Sequence, residues 1–241
     1  MLMTYREAPP ETTRQTIEDE LDELLRLRGE DAGELLLVRH AEPARSQGHD
    51  PMLSCAGLEQ AERLAQRLSA TWFEAVYCSP ERRAQQTARI VAGPGATPVH
   101  VLEGLAEIEF DPERAAGASP SSYAVRFVRS PRWDSLPGFE SGPLFRRRAI
   151  QTIERVLAIS AARRVLLITH ASVINAYLSM LLSVPADRFF TPEHTAVSIV
   201  RWRDGRYALR CLNDVSHLSA TPDVVSETQL LTARSLPLTT R

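Results

Sequence analysis

The sequence predicts an α/β three-layer sandwich, with a mostly parallel central sheet, helices on both faces and a cap insertion over one sheet edge. Three observations carry this reading. Leu35–Val38 and Val165–Ile168 are short unbroken apolar runs, the pattern of strands buried on both faces. Amphipathic helical stripes lie between the strand-like runs, so strand and helix alternate along the chain. Residues 111–143 are punctuated by Pro112, Pro120, Pro131, Pro137 and Pro143 among Gly117, Gly138 and Gly142, which marks an insertion rather than a further strand–helix unit.

Residues 1–12, with Pro9 and Pro10, show no periodicity. From about Thr13 to Arg28, the residues Ile17, Leu21, Leu24 and Leu25 fall on one helical stripe. Glu18, Asp19 and Glu20 open that helix and Arg26 and Arg28 close it, which suits the macrodipole. Leu35–Val38 follows as a strand. Ser54 is placed to cap a helix carrying Leu58, Ala61, Leu64, Ala65 and Leu68. Ala75–Cys78 reads as a strand. Ser79-Pro80 reads as a cap with proline at the first helical position, opening a helix to about Val91. A strand at Pro98–Leu102 comes next, then the insertion with one short helix near Ser121–Arg129. Phe145, Ala149, Ile153, Val156 and Leu157 mark a long helix, Val165–Thr169 a strand and Ala171–Leu182 an apolar helix. Thr195–Arg201 and Arg206–Cys211 alternate around Asp204-Gly205, a hairpin signal. The chain divides into an N-terminal extension (1–33), a domain at 34–218 with its cap insertion at about 108–143, and a polar tail at 219–241.

Composition narrows the function. A chain of 241 residues is long enough to bury about 70% of its unfolded surface. With 28 basic and 30 acidic residues the net charge is −2, which predicts no nucleic-acid partner. The apolar runs are too short for a membrane span, and the polar, then acidic start is unlike a secretory signal. Cys55, Cys78 and Cys211 form no C-x-x-C and read as free thiols of a reducing, cytoplasmic protein. The chain contains no lysine, for which GC-rich coding bias is the simplest cause. Its absence excludes Walker A nucleotide sites and lysine Schiff-base enzymes. Arginine, the remaining strong cation, suits forked clamps on phosphate.

In open α/β sheets ligands bind beyond the carboxyl ends of the strands. Both apolar runs end in histidine there, Leu35–Val38 in Arg39-His40 and Val165–Ile168 in Thr169-His170. Ala75–Cys78 leads into Ser79-Pro80-Glu81-Arg82-Arg83, which brings arginine to the same edge at a helix N-terminus. Two imidazoles with arginines form an anion pocket rather than a metal site, because the cations repel a divalent ion. A lone histidine is usually structural; two at matching strand ends are better explained by chemistry. Arg82 neighbours Arg83 on the helix and is expected to face solvent.

Leu37-Val38-Arg39-His40-Ala41-Glu42-Pro43 resembles the R-H-G/A motif of the histidine phosphatase superfamily, in its phosphoglycerate mutase-like branch. The similarity continues through Asp50-Pro51, Leu53-Ser54, Gly57-Leu58 and Gln60-Ala61, and then through Cys78-Ser79-Pro80-Glu81-Arg82-Arg83-Ala84-Gln85-Gln86-Thr87-Ala88. Leu105-Ala106-Glu107, Pro137-Gly138-Phe139-Glu140-Ser141, Thr169-His170-Ala171 and Asn213-Asp214 with His217-Leu218 complete it. R-H alone is unspecific; the ordered set over residues 34–218 is specific. The resemblance implies His40 as nucleophile, with Arg39, Arg83 and His170 holding the phosphoryl group and Glu107 as general acid and then base. It also implies no cofactor, no metal and a small-molecule phosphate ester as substrate.

Ala171 stands where the family often has glycine, and Phe110 is followed by Asp111-Pro112-Glu113 rather than F-G-x-W-E-G. The W-N and R-H-Y-G segments of cofactor-dependent mutases are absent, which favours a phosphatase over a phosphoglycerate-type mutase. A catalytically inactive binding protein on the same fold is the alternative of another class. Arg126, Arg129, Arg132 and Arg146–Arg148 either read a second anionic group or form a solvated face. Tyr123, Phe127 and Trp133 form either an apolar lid or local packing. His49, His100, His194 and His217 are expected to be structural. The N-terminal helix is a packing element or a dimer contact, and the oligomeric state stays open, with a homodimer among the choices.

Overall fold

Strands β1 (Gly33–Arg39), β2 (Ala75–Cys78), β3 (Val99–Val101), β4 (Arg164–Thr169), β5 (Val197–Arg203) and β6 (Arg206–Asp214) form one sheet in the order β3-β2-β4-β1-β5-β6. The first four in that order are parallel to one another; β5 and β6 add an antiparallel hairpin at the β1 edge. The computed structural model describes residues 15–19, 27, 32–45, 50–93, 97–115, 117, 119–159 and 164–219. Its helices are α1 (Cys55–Leu68), α2 (Arg82–Ala92), α3 (Pro120–Arg129), α4 (Gly142–Ile159) and α5 (Ala171–Leu181). No helix among the described residues is long and apolar enough to cross a membrane.

The two central strands bury both faces, as their unbroken apolar runs require. Leu35, Leu37, Val165 and Leu167 point to one side and pack with Phe145, Ile153, Ile174 and Tyr177 of α4 and α5. Leu36, Val38, Leu166 and Ile168 point to the other and pack with Leu64, Leu68, Ala84 and Ala88 of α1 and α2. The period of two along a strand thus builds both apolar layers at once. Truncating a fully buried leucine such as Leu167 to alanine costs about 2–5 kcal/mol. Ser54 caps α1 as expected, its side chain accepting from Gly57 N–H. Asp204 and Gly205 both have positive φ (51° and 73°), the geometry of a type I′ hairpin turn.

Several boundaries differ from the sequence reading. The helix after β2 is capped at Glu81 and starts at Arg82, not at Pro80, because the Ser79 hydroxyl is held by Glu81 and His170 instead of capping the helix. β5 begins at Val197, since Thr195 takes a left-handed φ of 57°, and β6 continues to Asp214. Residues 15–19 are helical as predicted, and Leu27, with φ 44°, is not in helical conformation. The remainder of the 1–31 segment, His49 and the tail from residue 220 lie outside the described residues. In the insertion, α3 is joined by a 3-10 turn at Trp133–Ser135 and by a bridge between Phe110 and Phe139. Cys55, Cys78 and Cys211 are unpaired thiols.

Candidate active site

β2, β4 and β1 are neighbours in the sheet, so their carboxyl ends open onto one crevice. His40 leaves β1 with its backbone N–H donated to Thr169 O at 2.8 Å, which ties the two histidine-bearing strand ends together. The imidazoles of His40 and His170 lie 5.0 Å apart, centroid to centroid. His40 is 4% exposed and His170 fully buried.

The His40 tautomer follows from its neighbours. Nδ1 lies 2.8 Å from the carbonyl oxygen of Ala41, which only accepts, so Nδ1 carries the proton. Nε2 keeps its lone pair and accepts from Arg83 Nε at 3.2 Å. Burial pushes the His40 pKa well below its ordinary value, and the His170, Arg83 and Arg39 charges press the same way against the Ala41 hydrogen bond. The outcome is a neutral imidazole with a bare nitrogen facing cations.

Arg83 bridges both histidines, with Nη2 3.2 Å from His170 Nδ1. Asp50 holds this arginine from behind at 3.6 Å and also accepts the Arg82 N–H at 2.9 Å. The Arg82 side chain is exposed, as its helical position predicted. Arg39, at the end of β1, donates through Nη1 to Pro192 O at 2.7 Å, and its Nε is buried without a partner among the described residues. Glu107 follows the 3-10 turn at Glu103–Leu105, with Oε2 3.8 Å from His170 Nδ1 and Oε1 accepting from Ile108 N–H at 3.0 Å and from the Ser172 hydroxyl. Glu103 and Glu109, the neighbouring acids, are exposed. The crevice therefore gathers Arg39, His40, Arg83, Glu107 and His170.

Several contacts at the site go beyond the sequence reading. Glu81 Oε2 accepts from His170 Nε2 at 2.9 Å, while its Oε1 accepts the backbone N–H of Glu107 at 2.9 Å. Burial pushes the Glu81 carboxyl pKa up, but the His170 contact, the Ser79 hydroxyl and that N–H outweigh it and hold the group far below the usual range. His194, expected to be structural, lies 5.6 Å from His40, and burial beside Arg39 lowers its pKa to about 4. Arg148 is half-buried and engaged: it donates to the carbonyls of Gly104, Ala106 and Glu107 and to Glu140, clamping the loop that carries Glu107. Arg146 is likewise engaged, with Ser179 and Asp187. Asn213 and His217 reach the His194 loop, accepting from Glu193 N–H at 2.8 Å and pairing with Thr195 Oγ1 at 2.9 Å. No periodicity marks these contacts, because each joins residues far apart in the chain.

A cavity of about 480 Å³ opens beside Glu81, Arg83 and Glu107 and is bounded outward by Phe110 and Gly138. Among the described residues, no group of three or more His, Cys, Asp or Glu side chains is placed to hold a metal ion. Cationic donors around a bare imidazole nitrogen, with a carboxyl group alongside, can bind a phosphoryl dianion and exchange protons with it.

Residues 35–215 match the family description of the histidine phosphatase superfamily, branch 1. A metal-independent phosphoserine phosphatase of Arabidopsis thaliana is 30% identical over 207 residues, covering 78% of this chain and 84% of that protein. An adenosylcobalamin/alpha-ribazole phosphatase of Salmonella typhi is 31% identical over 198 residues, covering 74% of this chain and 95% of that protein. Among solved structures, Bacillus stearothermophilus YhfR superimposes with a TM-score of 0.65 at 27% identity, covering 77% of this chain and 98% of that chain.

Proposed function

The chain belongs to the histidine phosphatase superfamily, branch 1, and from that premise we propose that it is a metal-independent phosphoric monoester hydrolase working through a phosphohistidine at His40. The observation that carries this reading is the bare Nε2 of His40, set by the Nδ1 contact to Ala41 O and faced by Arg83. The domain is residues 34–218, with residues 108–143 as its cap.

Arg39, Arg83 and His170 bind the phosphoryl oxygens and spread their charge, which is most of what phosphoryl transfer needs from a protein. The Nε2 lone pair forms the N–P bond as the P–O bond to the alcohol breaks. Glu107 gives its carboxyl proton to the departing oxygen. It then takes a proton from water as that water's oxygen attacks phosphorus, the P–N bond breaks and inorganic phosphate leaves. Glu81 is a positioning residue: its carboxylate holds the Nε2 side of His170, so that Nδ1 faces the phosphoryl site. The mutase reading is weaker, because the W-N and R-H-Y-G segments that mark cofactor-dependent mutases are absent. An inactive binding protein would have no use for the complete constellation.

The test is acid-quench labelling with a substrate radioactive at phosphorus. Wild type is expected to give an acid-labile, base-stable protein phosphate, and His40→Ala to lose both label and turnover while remaining folded. Label on serine or aspartate, or normal turnover by His40→Ala, refutes the mechanism.

A further inference from the structure

The insertion holds a second cavity, of about 660 Å³, whose walls are carbon almost throughout. Phe110, Tyr123, Phe127, Trp133 and Phe139 supply aromatic surface, and Arg188 the one charge among its lining residues. The rings stack in a chain: Phe127 to Trp133 at 5.2 Å, Trp133 to Phe139 at 5.1 Å, Phe139 to Phe110 at 4.9 Å. The Tyr123 hydroxyl is turned out of use, donating to Pro137 O at 2.7 Å, so this residue offers its ring.

Phe110 also lines the cavity beside Glu107 and Arg83, so the two spaces meet at one side chain. Arg188 is near enough to Arg39 for their charges to interact. An alcohol leaving over Glu107 would therefore pass Phe110 into the aromatic space. Among the described residues no carboxylate lines that space, so it offers no ion pair to a substrate ammonium group.

We propose that this cavity binds the alcohol portion of the substrate, and that the substrate class is phosphate monoesters of alcohols bearing an aromatic group. The inference rests on the phosphatase reading above and adds the specificity. An aromatic group gains by leaving water and by ring–ring contact with Phe127 and Trp133. A zwitterionic amino-acid phosphate gains neither.

The test compares 2-(2-naphthyl)ethyl phosphate with ethyl phosphate and phosphoserine. The first two release primary alcohols of similar basicity, so bond cleavage asks the same of Glu107 and the ratio reports binding of the ring. The expected kcat/KM preference for the naphthyl ester over ethyl phosphate is roughly 100-fold, scaled from the area a bicyclic ring buries. Phe127→Ala should cut this preference to roughly 10-fold. Ala124→Trp, at an exposed position of α3 on the cavity wall, should do the same by filling the space. Equal turnover of the naphthyl and ethyl esters, or a preference for phosphoserine, overturns the specificity and leaves the phosphatase reading standing. A preference that both variants leave intact also overturns it. Failure to hydrolyse any of the three esters removes the phosphatase reading and the inference together.

Discussion

Glu81 touches two of the proposed site residues, with one carboxylate oxygen 2.9 Å from His170 Nε2 and the other 2.9 Å from the Glu107 backbone nitrogen. A carboxylate that fixes an imidazole by one nitrogen decides which nitrogen serves the substrate and favours the cation. Glu81→Gln keeps the shape and removes the charge. The expected loss in kcat is about 10–100-fold, the scale for removing groups that orient a functional histidine. Glu81→Asp, which keeps the charge but not the shape, should lose less than Glu81→Gln. A merely structural role would make the isosteric glutamine the milder change, so that order in kcat refutes the assignment. Arg39, His40 and His170 were legible because each closes an apolar strand run. Glu107 was legible only through the family resemblance, since Glu103 and Glu109 compete at the level of sequence and only their exposure sets them apart. Glu81 and His194 were not legible. Their partners arrive from distant segments, and nothing local distinguishes Glu81 from a solvated acid at a helix start.

At the scale of elements, the motif residues without a direct part in chemistry hold the loop after β1. Thr87 of α2 accepts the Ala41 N–H at 3.1 Å, Gln60 of α1 accepts the Glu42 N–H at 2.9 Å, and Gln86 accepts the Leu53 N–H at 2.9 Å. Gly57 lies where an added Cβ would run into the carbonyl oxygen of Glu42, so α1 can approach the His40 loop only with glycine there. Such contacts explain why the ordered motif set spans two helices instead of one active-site loop. The helix pattern itself was readable, but the start of α2 was read two residues early, because serine followed by proline is a sound capping signal wherever the serine is free. The residue angle around α2 gives a sharp test. Neighbours on a helix point about 100° apart, and Arg83 faces the histidines while the Arg82 side chain is exposed. Arg83→Ala should lower kcat/KM by about 10²–10³, the scale for losing one donor to developing charge. Arg82→Ala should stay within a few-fold of wild type, since its own contact to Asp50 is through the backbone. Comparable losses in steady-state assays of the two variants would contradict the placement.

Over the whole molecule, the arrangement that keeps His40 neutral has a consequence for stability. The pKa values of His40, His194 and His217 are all lowered in the fold, each first by burial and then by neighbouring cations. The unfolded chain returns them to about 6.5. Between that value and the folded values the unfolded state therefore binds more protons than the native state, and stability falls as pH falls. For His194 the window runs from about 6.5 down to about 4. Carboxylates act in the same direction lower down. Glu34 is pushed up by burial but held below its ordinary value by Arg201, Arg164 and Arg210, and Asp214 is held down similarly by Ser216 and Arg67. Their contribution is present above the unfolded carboxylate range and is lost as pH falls through their folded values. Urea midpoints should thus be nearly level from pH 7 to 8, decline below about 6.5 through histidine protonation, and decline further below about 4.5 through the carboxylates. His194→Gln should make the slope between about 6.5 and 4 shallower while leaving the carboxylate decline in place. Midpoints that hold level or rise from pH 6.5 to 4.5, or a histidine-window slope unchanged in the variant, would show that His194 is not held neutral against its own basicity. The unbroken apolar runs that made the sheet legible also contribute to this liability, because a sheet buried on both faces delivers the strand-end His40 into a site screened from water.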